Sequence, residues 1–240
     1  MNLLDAQQIF CFRFSIVLWW SGTDQQEPTV TTHSPPPKET RPRTHVEINE
    51  YRRRTFVEGA LHSLAEHGVS GTTVTTICKA AGSSRGLLGH YFSHKDDVMV
   101  AALQHLFGRI SASIKDKLDK SDGSASEKLL AMPAALFAAP VFTDLNRTAF
   151  LALWHETRFN EKVRIANRQL YHDYANRMER LVTDAASDIG APIDARHVAL
   201  GFIAMSDGLW LGMSIHDNVI TGQQAVHMCQ NYLKRELGMI

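Results

Sequence analysis

Sixteen residues, Gly82 to Asp97, read GSSRGLLGHYFSHKDD and gather an unusual density of hydrogen-bond donors. Ser83, Ser84, Arg85, His90 and Lys95 bring hydroxyls, a guanidinium, an imidazole and an ammonium, and Gly86 adds backbone that a partner can approach closely. Such groups suit an anionic, acceptor-rich partner. Hydroxyls and backbone N–H groups at a helix start meet phosphate oxygens. A guanidinium can grip a guanine edge through two parallel bonds, worth about 1–3 kcal/mol of discrimination. The interleaved Leu87, Leu88, Tyr91 and Phe92 are too few for a core of their own, so the segment must be seated on other elements.

A second set lies further along. Phe142, Phe150, Trp154, Tyr171, Tyr174 and Trp210 are concentrated in the second half, with Glu156, Arg158, Asn167 and Asp207 near them in sequence. Aromatic faces beside a carboxylate can hold a quaternary ammonium, at about 0.5–2 kcal/mol per ring. Aromatics at helical spacing equally well make an ordinary core. Catalytic patterns do not assemble. His155-Glu156 begins an HExxH zinc motif, but Phe159 stands where its second histidine belongs. His90 and His94 have a metal-compatible spacing, yet Ser93 is expected to break the helix between them. P-loop and GxGxxG sequences do not occur. No enzyme, metal site or cofactor is expected.

The elements that must carry these groups read as helices throughout, since apolar residues from Thr44 onward recur at three and four and no run alternates as a strand would. Thr44 with Glu47 forms a capping-box signature, and Phe56, Ala60, Leu61 and Leu64 trace a stripe to a stop at Gly68. Thr73 caps a short second helix with Val74, Ile77, Cys78 and Ala81 inward, and Gly82 supplies a left-handed turn. Ser83 or Ser84 caps a third helix. Ser93 with Asp96 is expected to cap a long fourth, whose stripe runs Met99, Ala102, Leu103, Leu106, Ile110, Ile114 and Leu118. Five more helices follow: one near 127–138 containing Pro133, then others opened by Thr143, Asn160, Asp194 (through Leu211) and Thr221.

Two short helices around a glycine turn, braced on both sides, make a helix-turn-helix whose second member lies in the DNA major groove. Thr73, Ser83, Ser84, Arg85, Gly86, Leu87, His90, Tyr91 and Lys95 form the expected DNA-facing set, with Leu87 and Tyr91 also turning inward. Between Arg41 and Lys95 eight basic residues stand against four acidic ones, although the whole chain is neutral. Arg41 and Arg43 could form a minor-groove arm. A solvated helix face explains Arg52 to Arg54 equally well.

TTVTTICKAAGSSRGLLGHYFSHKDDVMVAAL, Thr72 to Leu103, resembles the DNA-binding unit of the TetR family of bacterial one-component regulators, and is most like the BetI type, the choline-responsive repressors. The resemblance extends to LALWHETRFNEKVRIANRQLYHDY and to SDGLWLGMSI, and so covers Thr44 to about Leu237. It implies an all-α fold with a helix-turn-helix domain at 44–95 and an effector-binding and dimerisation domain at 96–240. It also implies a cytoplasmic homodimer joined through the last two long helices, reading a near-palindromic operator and releasing it on binding an effector such as choline or a related amine. Gly201, Ala204, Gly208 and Gly212 leave small surfaces on one helix for a partner. Phe150, Trp154, Asn167, Tyr171, Tyr174, Asp207 and Trp210 are the expected effector-binding residues. The competing reading is a small-molecule-binding helical protein of this fold without DNA-binding activity.

Bulk properties agree with a globular protein of 240 residues, 44% hydrophobic and 21% charged. Cys11, Cys78 and Cys229 are too far apart for a zinc site or a CxxC pair, and Cys78 and Cys229 fall on apolar faces. Residues 1–43 read as an unstructured extension from an overextended start. The apolar run IFCFRFSIVLWW, interrupted by Arg13, is shorter than the roughly 20 residues that cross a bilayer. A weak membrane-surface anchor is the alternative there, and no membrane partner is expected.

Overall fold

The Thr44 hydroxyl accepts from the Glu47 N–H at 3.2 Å while the Glu47 carboxylate accepts from the Thr44 N–H at 2.9 Å. This reciprocal cap starts α1 (His45–Gly71). The computed structural model describes residues 44–216 and 219–240. The expectations placed on residues 1–43, including Cys11 and the Arg41/Arg43 arm, lie outside them. Phe56, Ala60, Leu61 and Leu64 are fully buried, each side chain the size of Leu or Phe contributing about 1.5–3 kcal/mol by leaving water. Gly68 adopts φ 63°, so the helix kinks at the glycine and a last turn continues to Gly71 rather than stopping.

Thr73 caps α2 (Val74–Ala80) and Ser84 caps α3 (Arg85–Tyr91), with Gly82 at φ 57° between them. The third helix ends at Phe92, which separates His90 from His94. Next comes α4 (Lys95–Asp119), and its start corrects one expectation. The cap is His94, whose N–H donates to the Asp97 carboxylate at 3.0 Å, one residue beyond the expected Ser93 and Asp96. Both pairs have the same spacing; burial of Val98 and Met99 decides between them.

Five more helices follow: α5 (Ala125–Leu136), α6 (Asp144–Phe159), α7 (Glu161–Ile189), α8 (Ala195–Ile215) and α9 (Gly222–Glu236). Pro133 lies inside α5. Gly190 closes α7 at φ 68°. The eighth helix runs four residues past the expected Leu211. All elements among the described residues are helices.

The packing joins them in two directions. α1 rests on α2, α4 and α6; α7 packs against α4, α5, α6 and α8; and α9 lies on α5 and α8. By length and composition α8 is apolar enough to span a bilayer. It is a core helix instead: Val198, Phe202, Ile203, Leu209, Trp210 and Met213 are buried against its neighbours. Cys78 and Cys229 are buried free thiols, and burial pushes the Cys229 thiol up to about 11, which leaves it protonated and unreactive.

Candidate nucleic-acid interface and effector cavity

The seat of α3 is built by close approach of α1 and α2. A Cβ on Gly59 would stand 2.9 Å from both the Ala81 Cβ and the Ile77 carbonyl oxygen, so only glycine lets the two backbones touch here. Beside it, the buried Ser63 hydroxyl donates to Thr76 Oγ1 at 2.8 Å, and Thr72 Oγ1 donates to the Gly68 carbonyl at 2.7 Å. These polar contacts pin the end of α1 to the start of α2. Gly59→Ala is therefore expected to lower stability by about 1–3 kcal/mol through forced separation of the helices. Urea unfolding followed by circular dichroism measures this, and an unchanged midpoint would show that the contact relaxes without cost. Gly59 is a site residue that the sequence reading missed; no local pattern marks a glycine in mid-helix as a contact point.

On that seat α3 keeps one side in and one side out. Leu88 is buried, while Ser84, Arg85, Gly86, Gly89 and His90 are exposed. Ser84 Oγ accepts from the Leu87 N–H at 3.2 Å. Among the described residues nothing beyond the neighbouring backbone lies within 4 Å of where a Cβ would sit on Gly86 or Gly89, so both leave bare backbone facing outward. The Arg85 guanidinium donates to Thr75 Oγ1 on α2 at 2.5 Å. Four further members of the expected DNA-facing set have work within the chain. The Tyr91 hydroxyl donates to Asn49 Oδ1 at 3.2 Å, its ring lies 5.9 Å from Phe56, and Leu87 is half-buried. Lys95 reaches back to the Thr72 carbonyl at 3.2 Å. Thr73, exposed, holds the start of α2 through Thr76. Arg53 lies over the Phe92 ring at 4.8 Å, Arg54 pairs with Glu58 at 4.0 Å, and Arg52 is exposed.

One contact joins α7 to the start of α4 just behind this head, and a second joins α4 to α1 of the head. Lys162 at the start of α7 donates to Asp97 at the start of α4 (2.7 Å), and this bond holds the Asp97 carboxyl below the ordinary carboxylate range. His105 on α4 lies 3.8 Å from Glu58 on α1; burial first, then the Arg109 charge, pushes its imidazole down toward the neutral form.

In the second half the aromatic residues converge. Phe107, Ile110, Ser111, Ile114, Leu136, Phe150, Tyr171, Tyr174, Ser206, Asp207 and Trp210 line a cavity of about 70 Å³ between α4, α5, α6, α7 and α8. Ring centroids lie 5.5 Å apart for Phe107 and Phe150, 5.5 Å for Phe107 and Tyr171, and 5.6 Å for Phe150 and Trp210. Asp207 projects among them. Among the described residues its hydrogen-bond partner is the Tyr171 hydroxyl, which donates at 3.0 Å. The lining includes no Lys, Arg or His. Burial pushes the Asp207 carboxyl up to about 6, against the lowering effect of the Tyr171 bond. Burial, followed by the Asp207 charge, raises the Tyr171 phenol far above its ordinary value and keeps it a donor.

Not every expected effector residue enters this cavity. Trp154 and Asn167 line a shallower groove on the other side of Tyr171 and Asp207, together with Thr157. Phe142 touches Trp210 from behind at 5.1 Å. Phe107 and Ile110 of α4 were not anticipated. Ile110 belongs to a stripe that reads as core and Phe107 lies beside it, and only the fold opens both onto a cavity. Of the small α8 residues, Gly201 serves the chain itself, because a Cβ there would meet the Tyr232 hydroxyl at 2.0 Å. Gly208 and Gly212 have open space, and Leu200, Ala204, Gly208, Leu211 and Ile215 form an exposed stripe.

Comparison with known proteins agrees with this arrangement. Residues 56–102 match the bacterial regulatory proteins of the tetR family, and residues 125–238 match the C-terminal domain of BetI-type transcriptional repressors. The HTH-type transcriptional regulator BetI of Serratia proteamaculans is 26% identical over 197 residues, 80% of this chain and 96% of that protein. A transcriptional regulator of Pseudomonas aeruginosa, 28% identical, superposes with TM-score 0.71 over 79% of this chain and 91% of its own. A regulator of Saccharomonospora viridis, solved in complex with choline, shares the fold at TM-score 0.67 and 19% identity, over 77% of this chain and 96% of its own. An outward-facing helix on a two-helix seat, followed by a helical body with both segments matched in order, places the chain in the TetR family of transcriptional regulators, with a BetI-type C-terminal domain.

Proposed function

We propose that this regulator is a homodimeric repressor acting in the bacterial cytoplasm, which holds a near-palindromic operator and lets it go when a small cation, choline or a related amine, enters the cavity of each subunit. Residues 44–95 serve as the reading head and 96–240 as the effector-binding and dimerising body. The observation that carries the effector reading is Asp207, a carboxylate among aromatic rings in a cavity whose lining holds no Lys, Arg or His. A half-buried carboxylate among aromatic rings favours a cationic partner, and an ammonium ion supplies one. The choline complex of the Saccharomonospora viridis regulator supports choline as the first ligand to try.

The exposed α8 stripe would face the same stripe of a second copy about a two-fold axis, setting the reading helices about 34–36 Å apart. Release needs differential binding. Moving a 99:1 population of the DNA-competent form to 1:99 takes about 5.5 kcal/mol between the two forms. α4 carries cavity residues Phe107, Ile110 and Ile114 in its middle and second half, and at its start Lys95 reaches the Thr72 carbonyl of the head.

Fluorescence anisotropy with labelled DNA from upstream of the gene, with and without choline, tests the reading, alongside sedimentation velocity. The expected results are a species of twice 26.8 kDa, a salt-sensitive anisotropy rise, and its reversal by choline. A folded dimer that shifts no upstream DNA at low salt would instead favour a ligand-binding protein without operator activity.

A further inference from the structure

A second hollow lies against α4, between it and residues 140–146 where the chain enters α6. It measures about 250 Å³, and Ile110 alone among the described residues lines both it and the aromatic cavity. Ile110, Pro140, Val141 and Leu145 give it apolar walls, while Arg109 and Ser113 add polar groups. Asn146 places the arginine. That buried residue donates its amide hydrogens to the carbonyls of Pro140 (3.1 Å) and Val141 (2.7 Å), and its oxygen accepts from the Arg109 guanidinium. A guanidinium carries five donors, and the others of Arg109 have no acceptor among the described residues. The hydroxyl of half-buried Ser113 makes no hydrogen bond among them either. Charge around the hollow is one-sided. Lys115 pairs with Asp119, Lys120 with Asp116, and Asp144 at the start of α6 with Arg147. Arg109 and Lys117 have no carboxylate partner among the described residues, and they share one face of α4 with Ser113 between them at four-residue spacing. Lys117 reaches the Ala139 carbonyl at 3.4 Å, just before Pro140 of the lining, and that lining holds no Asp or Glu.

We infer that this hollow is a second ligand site, separate from the aromatic cavity, and that it takes small monocarboxylates with a compact apolar body. The carboxylate is held by the unused donors of Arg109, whose planar fork matches two oxygens at once, with the Ser113 hydroxyl as a further donor. Lys117 adds attraction for an anion from the neighbouring turns of α4. The apolar body leaves water against Ile110, Pro140, Val141 and Leu145. One guanidinium in the lining suits one carboxylate, and the volume admits a body of a single ring or a short branched chain. A quaternary ammonium ion finds no carboxylate here. The two spaces on either side of Ile110 therefore select ligands of opposite charge, and the anion site stands whether or not the cation reading of the other cavity holds.

Isothermal titration of the full-length protein with benzoate, benzamide and acetate tests this. Benzamide keeps the shape of benzoate without its charge, and acetate keeps the charge without the ring. Benzoate is expected to bind one per subunit, at least about 10-fold more tightly than either. Arg109→Gln removes the charge but can still donate to Asn146. In that variant benzoate should fall to about the affinity of benzamide, while benzamide itself is unchanged. Wild-type affinities for benzoate and benzamide within about 2-fold would overturn the inference, as would the absence of saturable benzoate binding. Benzoate binding that survives Arg109→Gln would place the carboxylate elsewhere and overturn it too. A loss shared equally by benzoate and benzamide in the variant would show that Arg109 only shapes the hollow, which removes the charge contact on which the site rests. The wild-type comparison does not depend on how well the variant folds.

Discussion

Asp207→Asn is expected to abolish the response to quaternary ammonium ions while making the protein more stable. The side chain keeps its size and can still accept from Tyr171, so operator binding without effector should survive. What it loses is the charge opposite the cation. In a cavity lined by Phe150, Tyr174 and Trp210, that charge is worth far more than in water, and affinity for choline should fall about 100-fold or more. The stability change follows from linkage. The folded carboxyl stands at about 6 against an ordinary 3.8, so the native state binds the proton more tightly than the unfolded chain. The contribution of Asp207 is therefore most favourable below pH 3.8 and is lost as pH rises through about 6. At pH 7 and above the buried charge costs on the order of 3 kcal/mol, which the amide does not incur. Thermal unfolding at pH 5 and pH 8 should show the stabilisation chiefly at pH 8. The same carboxyl makes choline, a permanent cation, compete with a proton, so wild-type affinity should drop as pH falls below about 6 and the variant should show no such drop. A variant that binds choline as well as wild type would show that the aromatic rings alone hold the effector.

Arg85→Ala carries the second large effect, on DNA. Its guanidinium is exposed at the first position of α3 and steadied by Thr75, with bare backbone at Gly86 beside it. A base contact there is worth about 1–3 kcal/mol, so operator affinity should fall roughly 10- to 100-fold, with preference relaxed at one base pair of each half-site. Should the contact be to phosphate instead, the loss would be uniform across sequences and the salt dependence shallower by about one. Selection of bound sequences from a random pool, combined with a salt titration, separates the two. Thr75→Val should retain most of the affinity, because it removes only a group that orients Arg85. Unaltered affinity and sequence preference in Arg85→Ala would place the reading surface elsewhere on the head.

The helices, their caps and the glycine turns were legible in the residues alone. Capping boxes, the 3–4 stripe and the freedom of glycine at positive φ are local physics. Thr44, Thr73, Ser84, Thr143, Asn160, Asp194 and Thr221 all cap helices as their types suggest. Local rules failed where two caps were locally alike, as at Ser93 and His94, because burial of Val98 and Met99 settled the phase. They were silent on contacts that exist only when distant segments meet. Nothing near Gly59 signals that Ala81 will press against it, and nothing near Gly201 announces Tyr232. The aromatic residues of the second half were read from the sequence as one set, yet the fold divides them. Phe150, Tyr171, Tyr174, Asp207 and Trp210 share a cavity with four residues of α4, while Trp154 and Asn167 face a separate groove. Composition and spacing thus determined which residues could form helices and which side chains could bind a cation or a base edge. Tertiary packing alone decided which of them face one another, because helical periodicity specifies the side of each helix and not the neighbour across from it.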